Sequence, residues 1–147
     1  MALDFGFVRG LVRGGIPHLH ELGVELEAVD GSGLTISLGY QERLIGNPET
    51  GVLHGGVITV LLDTASGLAV WSAVDKPVPI ATLDLRIDYL KPATPGQRLF
   101  ARADCFKLTR NVAFTRALAY HSADDPIAQG IGSFMLLTPG QPPAPVR

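Results

Sequence analysis

The stretch Leu53–Ala73, reading LHGGVITVLLDTASGLAVWSA, limits what this chain can become more than any other. Val57, Leu61, Thr64 and Leu68 follow one another at spacings of four, three and four, and Val60 and Trp71 widen the apolar surface. The spacing predicts a helix that begins within residues 54–57 and runs to about residue 73. Few of its positions suit water, so such a helix has to be enclosed, and the segments on either side supply a sheet to enclose it. One acid, Asp63, lies in its middle and is the first candidate for chemistry.

Around this helix the period falls to two. Leu22, Val24, Leu26 and Ala28 alternate with Gly23, Glu25 and Glu27, and Leu34, Ile36, Leu38 and Tyr40 alternate with Thr35, Ser37 and Gly39. Asp30-Gly31-Ser32-Gly33 between them reads as the turn of a hairpin. After Pro77 and Pro79, residues 81–89 set Ala81, Leu83, Leu85, Ile87 and Tyr89 against Thr82, Asp84, Arg86 and Asp88. One face of that strand should bury its apolar groups, while the other exposes its charges or pairs them at a subunit contact. Three further strands are expected over 97–108, 112–121 and 127–137, with Gly130 and Gly132 marking a bulge or a close backbone approach.

Outside the core pattern, Phe7 and Leu11 share one face of a short helix over 3–13 that its glycines leave marginal, so it must dock to persist. Residues 41–52 read as an irregular connector with turns at Asn47-Pro48 and Gly51. The expected organisation is a single α+β domain over 1–138, an antiparallel sheet wrapped around one long helix, and a disordered tail over 139–147.

Composition narrows the partners. Hydrophobic residues make up 46 % and charged residues only 18 %, which suggests that part of the surface is covered by another subunit. The formal net charge is -2 and no basic field is present, so no nucleic acid is expected as a partner. The lone Cys105 excludes an intrachain disulfide framework, and its place in an alternating segment suits a small interior or interface residue better than a nucleophile. An acid in the longest apolar stretch argues against a membrane span, and the N-terminus lacks the pattern of a secretory signal. A cytoplasmic protein is the expectation.

The segment LHGGVITVLLDTASGLA, taken with TLDLRIDYLKPA, resembles the hotdog-fold acyl-CoA thioesterases of the PaaI type, over roughly residues 20–138. The resemblance implies homodimers with a continuous sheet, often assembled into homotetramers, and active sites between subunits. It implies that the substrate is an acyl-CoA, with aromatic or medium- to long-chain acyl groups, and that coenzyme A enters as part of the substrate rather than as a cofactor. By the same resemblance Asp63 holds the catalytic acid position, Gly55 the backbone oxyanion donor position, His54 belongs to the motif, and Thr82 stands where some members place a hydroxyl residue assisting the water. The connector departs from the pattern: several relatives carry Asn or Gln six residues before the motif His, where this chain has Pro48, with Asn47 beside it as the candidate amide. Some relatives also carry Glu as the helical acid and Thr one turn later, where this chain has Gly67.

The residues themselves suit thioester hydrolysis. Gly55 and Gly56 offer N–H groups at the positive end of a helix dipole without Cβ obstruction, where an oxyanion needs donors. Asp63 is placed either to activate water or to attack the carbonyl itself. His54 acts on the leaving thiolate or orders the glycine loop, and Asn47 orients the substrate or forms an Asx-turn. Arg110, Lys107 and Arg116 around one turn, with Lys91 on another loop, are candidate contacts for the coenzyme A phosphates against a background of ordinary solvated charge. His18, His20 and His121 make no metal set, and no metal is expected. Two other functions carry different signatures: a hotdog hydratase or dehydratase would add or remove water without thiol release, and a noncatalytic acyl-CoA-binding subunit would bind without turnover.

Overall fold

The computed structural model describes residues 5–137. Two short helices, α1 (Phe5–Gly10) and α2 (Pro17–Leu22), are joined by a π-helical turn over Leu11–Gly15. The hairpin β1 (Val24–Asp30) and β2 (Gly33–Leu38) follows, then a 3-10 turn and the small ribbon β3 (Ile45–Asn47) and β4 (Val52–Leu53). The long helix α3 (Gly55–Ala73) leads into β5 (Ile80–Tyr89), β6 (Leu99–Leu108), β7 (Val112–Ser122) and β8 (Asp125–Leu136).

Six strands form one antiparallel sheet in the order β1-β2-β6-β7-β8-β5, curled around α3 as the apolar pattern of that helix requires. Val57, Ile58, Leu61, Leu62, Ala65 and Leu68 are buried against it. The inner face under the helix is rich in alanine, with Ala101, Ala103, Ala117 and Ala119 all buried, so helix and strands can approach closely. Truncating Leu61, which is fully buried, to Ala would cost about 2–5 kcal/mol.

The hairpin turn is tighter than its four-residue sequence signal, since only Gly31 and Ser32 lie outside the strands. Gly33 adopts φ 150, and a Cβ there would stand 2.2 Å from the Ala103 carbonyl oxygen, so no other residue fits.

Several expectations are corrected. In the N-terminal segment Val8 and Val12 are fully buried and Leu11 packs partly against the core, while Phe7 is left 41 % exposed. Residues 17–22 form a helix that the alternation reading passed over, begun by Pro17 and ended by a left-handed Gly23. The connector is more ordered than an irregular loop because it holds a 3-10 turn over Glu42–Leu44 and Ile45–Asn47 pairs with Val52–Leu53 as the β3–β4 ribbon. In β5 the strict alternation breaks: the register shifts between Thr82 and Asp84, and Leu83 is left 50 % exposed. Gly132 marks close packing against Thr115 and Phe134, whereas the β7–β8 irregularities flank Tyr120. The expected tail beyond residue 138 lies outside the described residues.

Among the described residues α3 alone has the length and apolarity to cross a membrane, and it is the core helix of this sheet.

Candidate active site

The site begins at the lead-in to α3. His54 is the N-cap, and its Nδ1 accepts a hydrogen bond from the Gly56 N–H at 2.9 Å, which assigns the ring proton to Nε2. The Val57 N–H reaches the His54 carbonyl at 3.0 Å. With those two donors taken, the Gly55 N–H has no acceptor among the described residues, and it sits at the positive end of a 19-residue helix. The ring demands its glycine neighbour: a Cβ on Gly56 would stand 2.9 Å from His54 Nδ1. A Cβ on Gly46 would stand 2.7 Å from His54 Cα, and the His54 N–H donates to the Leu44 carbonyl at 2.9 Å, so the connector packs tightly on the lead-in. From β5, the Tyr89 hydroxyl donates to the Gly55 carbonyl at 3.3 Å.

Asp63 stands eight residues further on, about 12 Å along the helix axis. It is half-buried, and Thr82 on β5 donates its hydroxyl to Asp63 Oδ1 at 3.0 Å. The second carboxylate oxygen meets no protein donor among the described residues. Asp63 and Thr82 open onto a cavity of about 210 Å³ between α3, β5 and the N-terminal segment. Gly67, Leu68, Trp71, Ile80 and Phe134 supply its apolar walls, and Ile16, His18 and Leu19 close it from the N-terminal side.

The other candidates are spread out. Asn47 lies on β3, and its side-chain oxygen accepts from the Glu49 N–H at 3.0 Å, the Asx-turn geometry, which leaves the amide nitrogen for donation. Arg116 is engaged by Asp104 at 3.0 Å and lies over the Phe106 ring. Lys91 is paired with Asp125. Lys107 and Arg110 are exposed near the β6–β7 turn, beside the Ile80 end of β5, because the Leu136 N–H donates to the Asn111 carbonyl there and Ile80 pairs with Leu136. Lys91 follows the other end, where Tyr89 pairs with Ala128, about 30 Å away along the sheet. The four cations therefore form no single patch, and Lys91 is the one at the Gly55 end.

The sequence reading passed over Tyr89 as a support for Gly55 and over His18 as part of the cavity wall. Tyr89 closed a strand by alternation, and nothing local tied it to a residue 34 positions earlier. Cys105 is half-buried, and burial pushes its thiol up, which suits a packed residue. No group of His, Cys, Asp and Glu among the described residues is arranged to hold a metal ion.

The long helix wrapped by a six-stranded antiparallel sheet defines a hotdog-fold domain. A solved structure from Pseudomonas aeruginosa matches it with a TM-score of 0.80 at 42 % identity, over 88 % of this chain and 96 % of that one. A thioesterase from Haemophilus influenzae shares the fold at a TM-score of 0.81 and 20 % identity, over 96 % and 95 % of the two chains. The family model for the thioesterase superfamily matches residues 50–128, and the medium/long-chain acyl-CoA thioesterase YigI of Escherichia coli is 30 % identical over 134 residues, 82 % of this chain and 86 % of that protein. The chain belongs to the thioesterase superfamily.

Proposed function

We propose that this protein is an acyl-CoA thioesterase whose active site is completed by a second copy of the chain. The observation that carries the proposal is the spacing on α3. A hydrolase needs its acid and its oxyanion donor within about 3 Å of the reacting carbonyl group, yet Gly55 and Asp63 of one chain stand about 12 Å apart. Two chains joined antiparallel along β5, an edge strand of the sheet, would set Gly55 of one opposite Asp63 of the other, since Tyr89 beside Gly55 and Thr82 beside Asp63 lie toward opposite ends of that strand. A homotetramer would follow from two such dimers.

At the composite site the acyl carbonyl oxygen accepts from the Gly55 N–H, and Asp63, fixed by Thr82, faces the carbonyl carbon. Asp63 either takes a proton from water as the water oxygen bonds to carbon, or bonds to carbon itself and forms an anhydride that water then cleaves. In both routes the carbon–sulfur bond breaks, the thiolate takes up a proton, and carboxylic acid and free coenzyme A result. His54 holds the loop through Nδ1, which caps the helix, and keeps its Nε2–H to act on the leaving thiolate. The Asn47 amide nitrogen is a donor toward the thioester or water, and Lys91, Lys107, Arg110 and Arg116 are candidate contacts for the phosphates of coenzyme A. Medium- to long-chain acyl groups are the first substrates to test, given the similarity to YigI, in an enzyme of the cytoplasm where the unpaired Cys105 stays reduced.

The test is a panel of aromatic and aliphatic acyl-CoAs with detection of free thiol. Turnover of at least one class is expected, and none across the panel by correctly assembled protein would reject the proposal. Water addition to an enoyl thioester without thiol release would replace it with a hydratase.

A further inference from the structure

We infer that Gly67 sets the length of acyl group this protein accepts, by leaving open the passage from Asp63 into the apolar cavity behind it. The inference rests on the thioesterase reading and deepens it. Gly67 lies four residues after Asp63, hence on the same face one turn further along α3, and both line the 210 Å³ cavity.

Glycine is disfavoured in the middle of a helix, and nothing in the backbone asks for it here. Gly67 is not among the glycines with positive φ, and a Cβ on it would meet only two side-chain atoms, Ile80 Cδ1 at 3.5 Å and Phe134 Cε1 at 3.6 Å. Both are ordinary contact distances. A methyl group would therefore fit without moving the chain, and anything larger would project into the cavity itself. What glycine supplies at this position is space.

The walls beyond it are apolar. Leu68, Trp71, Ile80 and Phe134 surround the space, and the Trp71 indole N–H is already donated to the Val78 carbonyl at 2.7 Å. Asp63 is the only carboxylate or basic chain lining the cavity apart from His18. Besides Asp63 and His18, the only polar side chains lining the cavity are Thr64 and Thr82, so a saturated tail lying against Leu68, Trp71, Ile80 and Phe134 loses water contact along mostly apolar walls. Gly67 thus works as a specificity-determining residue and has no part in bond making or breaking.

The experiment uses S-alkyl coenzyme A thioethers, which carry no carbonyl and cannot be hydrolysed, in a series from ethyl to dodecyl, with dissociation constants read by calorimetry on the assembled wild type, Gly67→Ala and Gly67→Leu. In the wild type affinity rises about fourfold per methylene until the cavity is filled. Gly67→Leu lowers the ratio of octyl to ethyl affinity at least tenfold, and Gly67→Ala lowers it less. If Gly67→Leu fails to assemble, the Ala variant, whose methyl group fits, carries the comparison in the same direction. A length dependence equal in wild type and variants, or a wild type indifferent to length, overturns the inference. Acyl-CoA turnover followed in parallel separates the two claims: length-selective binding shifted by Gly67 but without thiol release rejects hydrolysis and retains the gate, while thiol release with an unchanged length profile retains hydrolysis and rejects the gate.

Discussion

The Thr82 hydroxyl donates to Asp63 Oδ1 at 3.0 Å, joining the edge strand β5 to the only acid on the core helix α3. The bond fixes one carboxylate oxygen and leaves the other without a protein donor among the described residues, on a residue that lines the cavity. Asp63→Asn keeps the shape and removes the charge, and it is expected to lower kcat by a factor on the order of 10²–10⁴ with assembly retained. Thr82→Val should lower kcat about tenfold, as loss of a hydrogen bond to a charged group does, while Thr82→Ser restores most of it. Steady-state kinetics on the three variants checks this, and an undiminished Asp63→Asn enzyme would take Asp63 out of the mechanism.

The two glycines at the helix start are not equivalent. A methyl group on Gly56 would collide with the His54 ring at 2.9 Å, whereas on Gly55 it would meet Tyr89 at an ordinary 3.6 Å. Gly56→Ala is therefore expected to displace the cap and cost about 1 kcal/mol or more of stability, with Gly55→Ala costing less. Thermal denaturation of the two variants side by side gives the order. The reverse order would contradict the capping geometry.

Acid should loosen the β1–β2 turn late. Hydrogen bonds from the Arg102 guanidinium and from Ser32 hold the Asp30 carboxyl far below its ordinary value of 3.8. A carboxyl depressed in the folded state adds its stability in full above its unfolded value, and that stability is lost as pH falls through the folded value. Asp30→Asn should accordingly lower the urea midpoint at pH 7, with the gap to wild type closing below about pH 3. A gap that widens in acid would show the sign to be wrong.

Along β5 the row Asp84, Arg86, Asp88 alternates in sign on one side of the strand, with Arg86 paired to Asp88 at 3.1 Å within its own chain. Two copies of this row run antiparallel can set Arg86 of one beside an acid of the other. Arg86→Glu makes both rows wholly acidic and is expected to raise the dimer dissociation constant about tenfold or more. Sedimentation across a dilution series reads this directly, and an unchanged constant would move the interface off β5.

Much of this architecture is written locally. The apolar crowding of α3 demands a wrapping sheet, and the alternation of β6, β7 and β8 places the alanines that let helix and sheet meet. Pro17 and Gly23 also bracket α2 in plain sight, but alternation through Leu22 and Val24 outweighed them. The shift at Leu83 leaves no trace in the residue pattern, because a bulge depends on what the neighbouring strand presents, here Phe134 opposite Thr82 and Ser133 opposite Asp84. The family motif points to both Asp63 and Thr82, while their contact across 19 residues is tertiary. The support of Gly55 by Tyr89 and the scatter of the four cations depend on how β5 and β6 turn back along the sheet, which no local signal carries.

The claim on which the rest depends is that each site takes its oxyanion donor from one chain and its acid from another. Gly55→Pro removes the N–H at the first helical position, where proline is tolerated, and His54 already has the extended ψ of 136 that a following proline requires. Gly55→Pro and Asp63→Asn dimers should each be nearly inactive alone. Mixed in equal amounts and allowed to exchange subunits, half the dimers are hybrids with one intact site of two, so thiol release should recover to about one quarter of the wild-type rate. Recovery to that level is the predicted result, and a mixture of fully exchanged hybrids that stays as inactive as its parents would contradict the shared site.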